Sequence, residues 1–391
     1  MGEAMPRTAL YYDDDAFFHG ETAASEHTQR EITRAELKAE LRLQKMLGMG
    51  SFGTACQCTF RGRAWVVKLP RAQTRGFIRE GATLEEAMSV PVDQAERQRI
   101  VRDFAIECRN AEAVLDAPQV RALRDNGRSA LFTAGMPLEG LTDEEFDDVC
   151  RWREEWQSWP GYAHLHPVVH YDPLVPLLLS LPAEGTIEDL RVGVSARTQR
   201  IPRQWLDIAW QLSEALDFIL TRTALAHVDV KPSNVLYVHR DDGRVHCWLS
   251  DYGDLYPKNE PATFTHGTPE YMPEGTLWGT NAELSLFEYY STLVDLFAVL
   301  VRSEARADYV SCYEQPVCKT VARMPERLAP LAAFFEAQPA LRAHVVDALD
   351  VSGFNDLTRR FHATREWLLS ERASERRRGS GGLPFLANLR Q

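Results

Sequence analysis

Asp229, Lys231, Asn234 and Asp251 are the residues whose types and spacing best fit a chemistry. In phosphoryl transfer an aspartate orients or deprotonates the attacking hydroxyl and a lysine two positions on neutralises the moving phosphate, while an asparagine and a second aspartate hold Mg²⁺. The run His227-Val228-Asp229-Val230-Lys231-Pro232-Ser233-Asn234, followed by Asp251-Tyr252-Gly253, fills those four places in that order. Either short motif alone recurs by chance, so the conjunction is what carries the signal.

The flanking sequence supplies elements to position them. Trp205, Ile208, Leu212, Leu216 and Ile219 recur at helical spacing and predict an amphipathic helix over 205–220 that leads into the loop. The loop closes on an apolar run at 235–238, Asp241-Asp242-Gly243 reads as a hairpin turn, and 245–249 is the returning strand that delivers Asp251.

A second group lies upstream. Gly48-Met49-Gly50-Ser51-Phe52-Gly53 is a G-x-G-x-x-G, shared by dinucleotide-binding turns and phosphate lids. A dinucleotide turn opens a helix and meets an acidic residue about 20 positions on. Here the chain continues as a strand through Ala55 and Phe60, turns at Arg61-Gly62-Arg63, and returns through Val66 to Lys68. No Gly-Lys-Ser/Thr follows the glycines, which excludes a Walker-type loop. Backbone without Cβ atoms approaches phosphates closely, and Lys68 supplies the charge.

Composition bounds the setting. The chain has 391 residues, 45% of them apolar, enough for two domains or one large two-lobed unit. Seven cysteines in no dense framework imply a reducing, intracellular and cytoplasmic location, with a nuclear one open through the basic 375–378 run. Cys56 and Cys58, two apart on a strand, read as buried thiols rather than zinc ligands. The longest apolar run, around Leu177, Leu178 and Leu179, falls far short of the ~20 residues of a membrane span. Gly2 is followed by Pro6 where a myristoylation signal wants Ser or Thr. A net charge of −12 disfavours direct nucleic-acid binding and suits basic peptides.

From about Leu41 to Glu274 the chain resembles the eukaryotic-type serine/threonine protein kinases, as a divergent member with Val228 where many have arginine before the catalytic aspartate. The resemblance implies an α+β, bilobal fold: a small β-rich N-lobe with its helix C over 33–181, and a larger, mainly helical C-lobe over 182–372. An acidic arm occupies 1–32 and a flexible basic tail 373–391. It implies ATP and Mg²⁺ as cofactors, with Asn234 and Asp251 as metal ligands, Asp229 and Lys231 as catalytic residues, and Lys68 on the phosphates. Lys68 pairs in the family with a helix-C glutamate. Glu107, in the family-like Phe104-Ala105-Ile106-Glu107, is favoured, with Glu112 and Glu155 as alternatives. With Glu107, residues 118–163 become an insertion bearing Trp152, Trp156 and Trp159. Gly48 to Gly53 form the nucleotide lid, Ala55 and Val66 sandwich adenine with their sizes exchanged relative to the family, and Leu179 is the gatekeeper, followed by Ser180. Pro182 has no N–H, so either Ala183 donates to adenine or the register slips by one.

Lys231-Pro232 and Gly267-Thr268-Pro269-Glu270-Tyr271-Met272-Pro273-Glu274 resemble the parts that select protein substrates with Ser/Thr hydroxyls. Thr268 would bond near Asp229 and Lys231, and Glu274 would pair with Arg360 or Arg359. Asp295 would brace the catalytic loop, after a modest insertion behind Glu274. Val228 removes the receptor for an activation-loop phosphate, so activity is expected without phosphorylation at Thr263 or Thr265. A nucleotide-binding scaffold without transfer and a small-molecule phosphotransferase are the rival readings.

Overall fold

The computed structural model describes residues 39–49, 53–60, 63–70, 79–87, 93–115, 161, 164–166, 168–172, 177–192, 203–239, 244–263, 267–273, 279–298, 328–349 and 356–379. It is an α+β structure, with an antiparallel sheet near the N-terminus and helices after it. The chain divides into two units. One draws on Met1–Trp159, His166–Ala183 and Asp251–Leu255; the other on Pro160–Leu165, Glu184–Ser250 and Tyr256–Gln391.

In the first unit, strands β1 (Arg42–Met49), β2 (Gly53–Phe60), β3 (Arg63–Pro70), β4 (Val168–Asp172) and β5 (Leu177–Ser180) form a sheet in the order β1-β2-β3-β5-β4. The two-residue period of a strand sets its faces. Along β2, Thr54, Cys56, Cys58 and Phe60 are buried while Ala55, Gln57 and Thr59 are half-buried. Cys56, Cys58, Trp65, Val67, Leu69 and Leu179 pack with Leu41, Leu43 and Leu84 into the unit's core. Burial pushes the Cys56 thiol up to about 11, and that of Cys58 to about 12 with Cys56 contributing. Among the described residues no group of three or more His, Cys, Asp or Glu is placed to hold a metal ion.

Helix α1 (Gln94–Leu115) lays one stripe inward: Ile100, Phe104, Glu107, Ala111 and Val114 are buried. Glu107 occupies a position on this stripe that an apolar residue would ordinarily take.

The second unit is built on α3 (Arg203–Arg222), preceded by β6 (Gly185–Thr186) and α2 (Ile187–Val192). Trp205, Ile208, Leu212, Leu216 and Ile219 are all buried. Strand β7 (Leu225–His227) leads to the loop, and β8 (Val235–His239) pairs with β9 (Val245–Leu249) from Val235 opposite Leu249 to His239 opposite Val245. Gln211 ties α3 to this hairpin, accepting from Cys247 N–H at 2.8 Å and donating to Val245 O at 3.0 Å. Helix α4 (Asn281–Ala298) is buried on every side from Leu284 to Phe297.

Helix α5 (Leu357–Gly379) buries Leu357, Phe361, Thr364 and Leu368. Arg365 binds Glu214 and Asp217 of α3; Arg372 binds Asp207 at 2.6 Å and lays its guanidinium 3.6 Å from the Trp210 ring centre. Residues 373–379, assigned above to the flexible tail, continue this helix. Ala373, Glu375 and Arg376 to Arg378 are strong helix formers, which suits their place in the helix. The expected 1–32 arm, the capping box at Thr33 and Glu36, and the expected 118–163 insertion apart from Gly161 lie outside the described residues.

No helix among the described residues is long and apolar enough to cross a membrane.

Candidate functional site

In the first unit Lys68 is the centre. Its Nζ donates to Glu107 Oε1 and to Asp251 Oδ1, both at 2.7 Å. Burial alone would favour the neutral amine, but Asp251 and Glu107 outweigh it and hold the lysine above its ordinary value. Glu107 is raised, by burial first, with Lys68 opposing and Asp251 reinforcing. Glu112 lies on the same helix, though its side chain, like the whole of Glu155, is outside the described residues.

Strand register fixes which groups share the lysine's face. Ala55 stands opposite Lys68, and Gln57 opposite Val66, so Ala55, Val66 and Lys68 lie on one side of the sheet. Gly53 belongs there as well: a Cβ on it would come within 2.8 Å of Lys68 Cε and 2.9 Å of its Cγ. The lysine stem crosses where only glycine leaves room. Gly48 ends near open space, with nothing within 4 Å of a Cβ built there. Met49 is described only in its backbone, and Gly50, Ser51 and Phe52 lie outside the described residues.

One expected site residue is displaced. Leu179 pairs with Val67 and sits with it in the core, fully buried. Leu178 and Ser180, opposite Lys68 and Val66, occupy the lysine's face instead. A one-residue change of register moves a side chain to the other face of a strand, and an unbroken run of leucines gives no alternation from which to read it. Ser180 is buried and its hydroxyl donates to Val66 O at 3.4 Å; Ala183 is half-buried and Pro182 exposed.

Asp251 has φ 70° and ψ 72°, the left-handed region, which a residue with a Cβ adopts only under constraint. Tyr252 is buried, and its hydroxyl donates to His166 O at 2.7 Å, which gives the tyrosine the partner its burial requires.

In the second unit three side chains converge on the carboxylate of Asp229. Asp229 Oδ2 accepts from Lys231 Nζ at 2.6 Å and Asn234 Nδ2 at 2.9 Å, while Oδ1 accepts from the Thr268 hydroxyl at 2.5 Å. Lys231 also donates to Thr268 Oγ1 at 2.7 Å. Asn234 is fixed through its own backbone, its carbonyl receiving Ser250 N–H at 2.9 Å and the Ser250 hydroxyl at 2.8 Å. Its amide nitrogen also donates to Asp229 O, which turns the oxygen of the amide into the end suited to a cation. A carboxylate and an amide oxygen are hard donors of the kind Mg²⁺ takes, so the chemistry of Asp251 and of Asn234 each fits that ion.

Asp229 carries φ 144°, a costly conformation for any residue but glycine. Helix α4 holds it there. Glu288 Oε2 accepts from the N–H groups of Asp229 at 2.7 Å and Val230 at 3.0 Å, and Thr292 donates to Val230 O at 2.8 Å. The brace expected from Asp295 therefore belongs to Glu288, two helical turns earlier. Asp295 instead accepts from the Tyr271 hydroxyl at 2.7 Å. Gly267 packs against the same glutamate, since a Cβ there would lie 2.5 Å from Glu288 Oε1. Val228 is fully buried with Met272 and Leu284, against Tyr256 and Ala262. Arg359 and Arg360 bind Asp356; Glu274 and Thr265 lie outside the described residues.

No protein-family model matches the chain, and no curated protein matches it. Among solved structures, one described as a crystal structure of a kinase domain is 13% identical, covering 68% of this chain and 67% of its own with a TM-score of 0.41. That likeness is too distant to carry a functional assignment.

Proposed function

We propose that the chain is a bilobal, kinase-like phosphotransferase, specifically a protein kinase that moves the γ-phosphoryl group of ATP to Ser or Thr hydroxyls of protein substrates. The observation that carries this reading is the convergence of Lys231, Asn234 and Thr268 on the Asp229 carboxylate, all within 2.5 to 2.9 Å. A lone aspartate does not need such company; a base that must meet a hydroxyl at a fixed angle does.

By this reading Asp229 orients the acceptor hydroxyl and receives its proton. The hydroxyl oxygen bonds to the γ-phosphorus as the bond from that phosphorus to the β–γ bridging oxygen breaks, leaving ADP. Lys231 stands beside the path of the transferring group, and Lys68, fixed by Glu107, lies on the phosphates already bound. Asn234 and Asp251 are each a residue that would hold Mg²⁺, and the ion would supply positive charge against the phosphates. Thr268 ties the segment that would seat the substrate to the base itself.

The test compares wild type and Asp229→Asn with labelled ATP, Mg²⁺ and a basic protein, and maps the products. Phosphoserine and phosphothreonine from wild type, with background labelling from the variant, are expected. Equal labelling removes Asp229 from the chemistry, and phosphotyrosine alone removes the substrate class. Transfer only to a small molecule, or nucleotide binding with no transfer, overturns the protein-kinase reading.

A further inference from the structure

Asn110 has no part in the chemistry above, yet it links α1 directly to the turn after Asp251. It lies one helical turn beyond Glu107, half-buried. Its Nδ2 donates to Tyr252 O at 2.9 Å and to Leu255 O at 3.0 Å. Both hydrogens of one amide are thus used on the two carbonyls that bracket the 252–254 turn. The turn is held from another side by the Tyr252 hydroxyl on His166 O, at 2.7 Å, and His166 in turn meets Leu181 O through Nε2 at 3.0 Å. Between these ties stands Asp251, left-handed at φ 70° and bonded to Lys68. A non-glycine residue keeps that conformation only where its surroundings over-determine it.

We infer that Asn110 is a positioning residue: together with the Tyr252 hydroxyl it clamps residues 251–255 to α1 and so keeps the Asp251 carboxylate aimed at Lys68. The same helix then supplies two devices on one face, Glu107 for the lysine and Asn110 for the aspartate, so displacement of α1 would misplace both partners of Lys68. Donation, not size, is what the position requires. An aspartate of equal volume would set a carboxylate against two carbonyls, and an alanine would leave both carbonyls without their donor. The geometry stands by itself, whereas its consequence for Mg²⁺ use rests on the proposed kinase function.

The test uses the full chain as wild type, Asn110→Ala, Asn110→Asp and Tyr252→Phe, with two readouts. The first is amide hydrogen exchange of peptides covering 251–255, with peptides covering β8 and β9 as the internal reference. Asn110→Ala and Asn110→Asp should speed exchange at 251–255 by about tenfold or more, in line with two hydrogen bonds at their net worth, with β8 and β9 unchanged. Tyr252→Phe should act in the same direction and less strongly. The second readout is the Mg²⁺ concentration giving half-maximal phosphorylation at saturating ATP. It should rise severalfold in the Asn110 variants, with the KM for the protein substrate unmoved. Unchanged exchange at 251–255 overturns the inference. So does a uniform rise in both regions with an unmoved Mg²⁺ midpoint, which is general destabilisation. A wild-type chain with no transfer activity overturns the proposed function alone, because the exchange readout decides the clamp independently.

Discussion

Replacing Glu288 by alanine tests the structure at the point where it departs most from what the sequence suggests. The carboxylate is fully buried and takes the Asp229 and Val230 N–H groups at 2.7 and 3.0 Å, while Val228 and Val230 on either side of Asp229 are also fully buried. Water therefore has no easy route to the two amides. Each one left without an acceptor costs about 1–3 kcal/mol, so Glu288→Ala should lose about 2–6 kcal/mol before any cavity is counted. The loop would then be free to relax from the φ of 144° at Asp229, itself a strain of order 1–3 kcal/mol. A shift of about 1 Å in a positioned group lowers turnover on the order of a hundredfold. Asp295→Asn is the control. It keeps an oxygen for the Tyr271 hydroxyl and should cost under about 1 kcal/mol, with near-normal turnover. Urea unfolding followed by tryptophan fluorescence, with exchange of peptides covering 225–235, measures the first effect; initial phosphorylation rates measure the second. Glu288→Ala within about 1 kcal/mol of wild type and equally active, or Asp295→Asn the worse of the pair, would refute the assignment.

His166 makes stability depend on pH. Burial lowers its pKa from 6.5 to about 4, so above pH 6.5 neither folded nor unfolded chain carries the proton, and between 6.5 and 4 only the unfolded chain does. Stability should fall as pH falls through that window, by about 3 kcal/mol from this group, and His166→Gln should remove that part of the slope; parallel pH profiles for the two proteins would count against it. Val228→Arg should destabilise by about 3–5 kcal/mol, because it buries an unpaired charge among Met272, Leu284 and Tyr256, whereas Thr263→Ala/Thr265→Ala should keep full activity. Collapse of the double alanine variant to background would show that the loop needs its phosphate. Arg372→Ala should cost about 3 kcal/mol in thermal or urea unfolding, since it removes an ion pair to Asp207 and uncovers Trp210, and Arg372→Lys should recover only part; two variants as stable as wild type would make α5 a passive attachment.

Elements with a strong period were open to sequence reading. The helix expected over 205–220 runs as Arg203–Arg222, and the hairpin strands fall at Val235–His239 and Val245–Leu249. Glu107 was also accessible, because Phe104, Glu107, Ala111 and Val114 follow a single helical stripe and Glu112 falls off it. Glu288 was not. On a helix buried all round, Ser285, Glu288, Ser291, Thr292 and Asp295 are equally enclosed, and no amphipathic pattern tells which one meets the loop. Leu179 failed for the related reason that three successive leucines carry no alternation. Nothing in the sequence singles out Asn110: its hydrogen bonds go to two main-chain carbonyls far along the chain, and carbonyls leave no trace in a sequence. Residues 373–379 were judged by their charge, which says solvent-exposed, when their helix propensity was the better guide.

Cys56 and Cys58, on the core side of β2, give the first unit an internal clock. Both thiols are fully buried and hold their protons, so a maleimide can reach them only when β2 opens. Their alkylation rate, read peptide by peptide in a mass spectrometer, is therefore a direct count of how often the sheet behind Lys68 comes apart. A ligand that seats on this unit should slow that clock in proportion to its occupancy, without any turnover being measured.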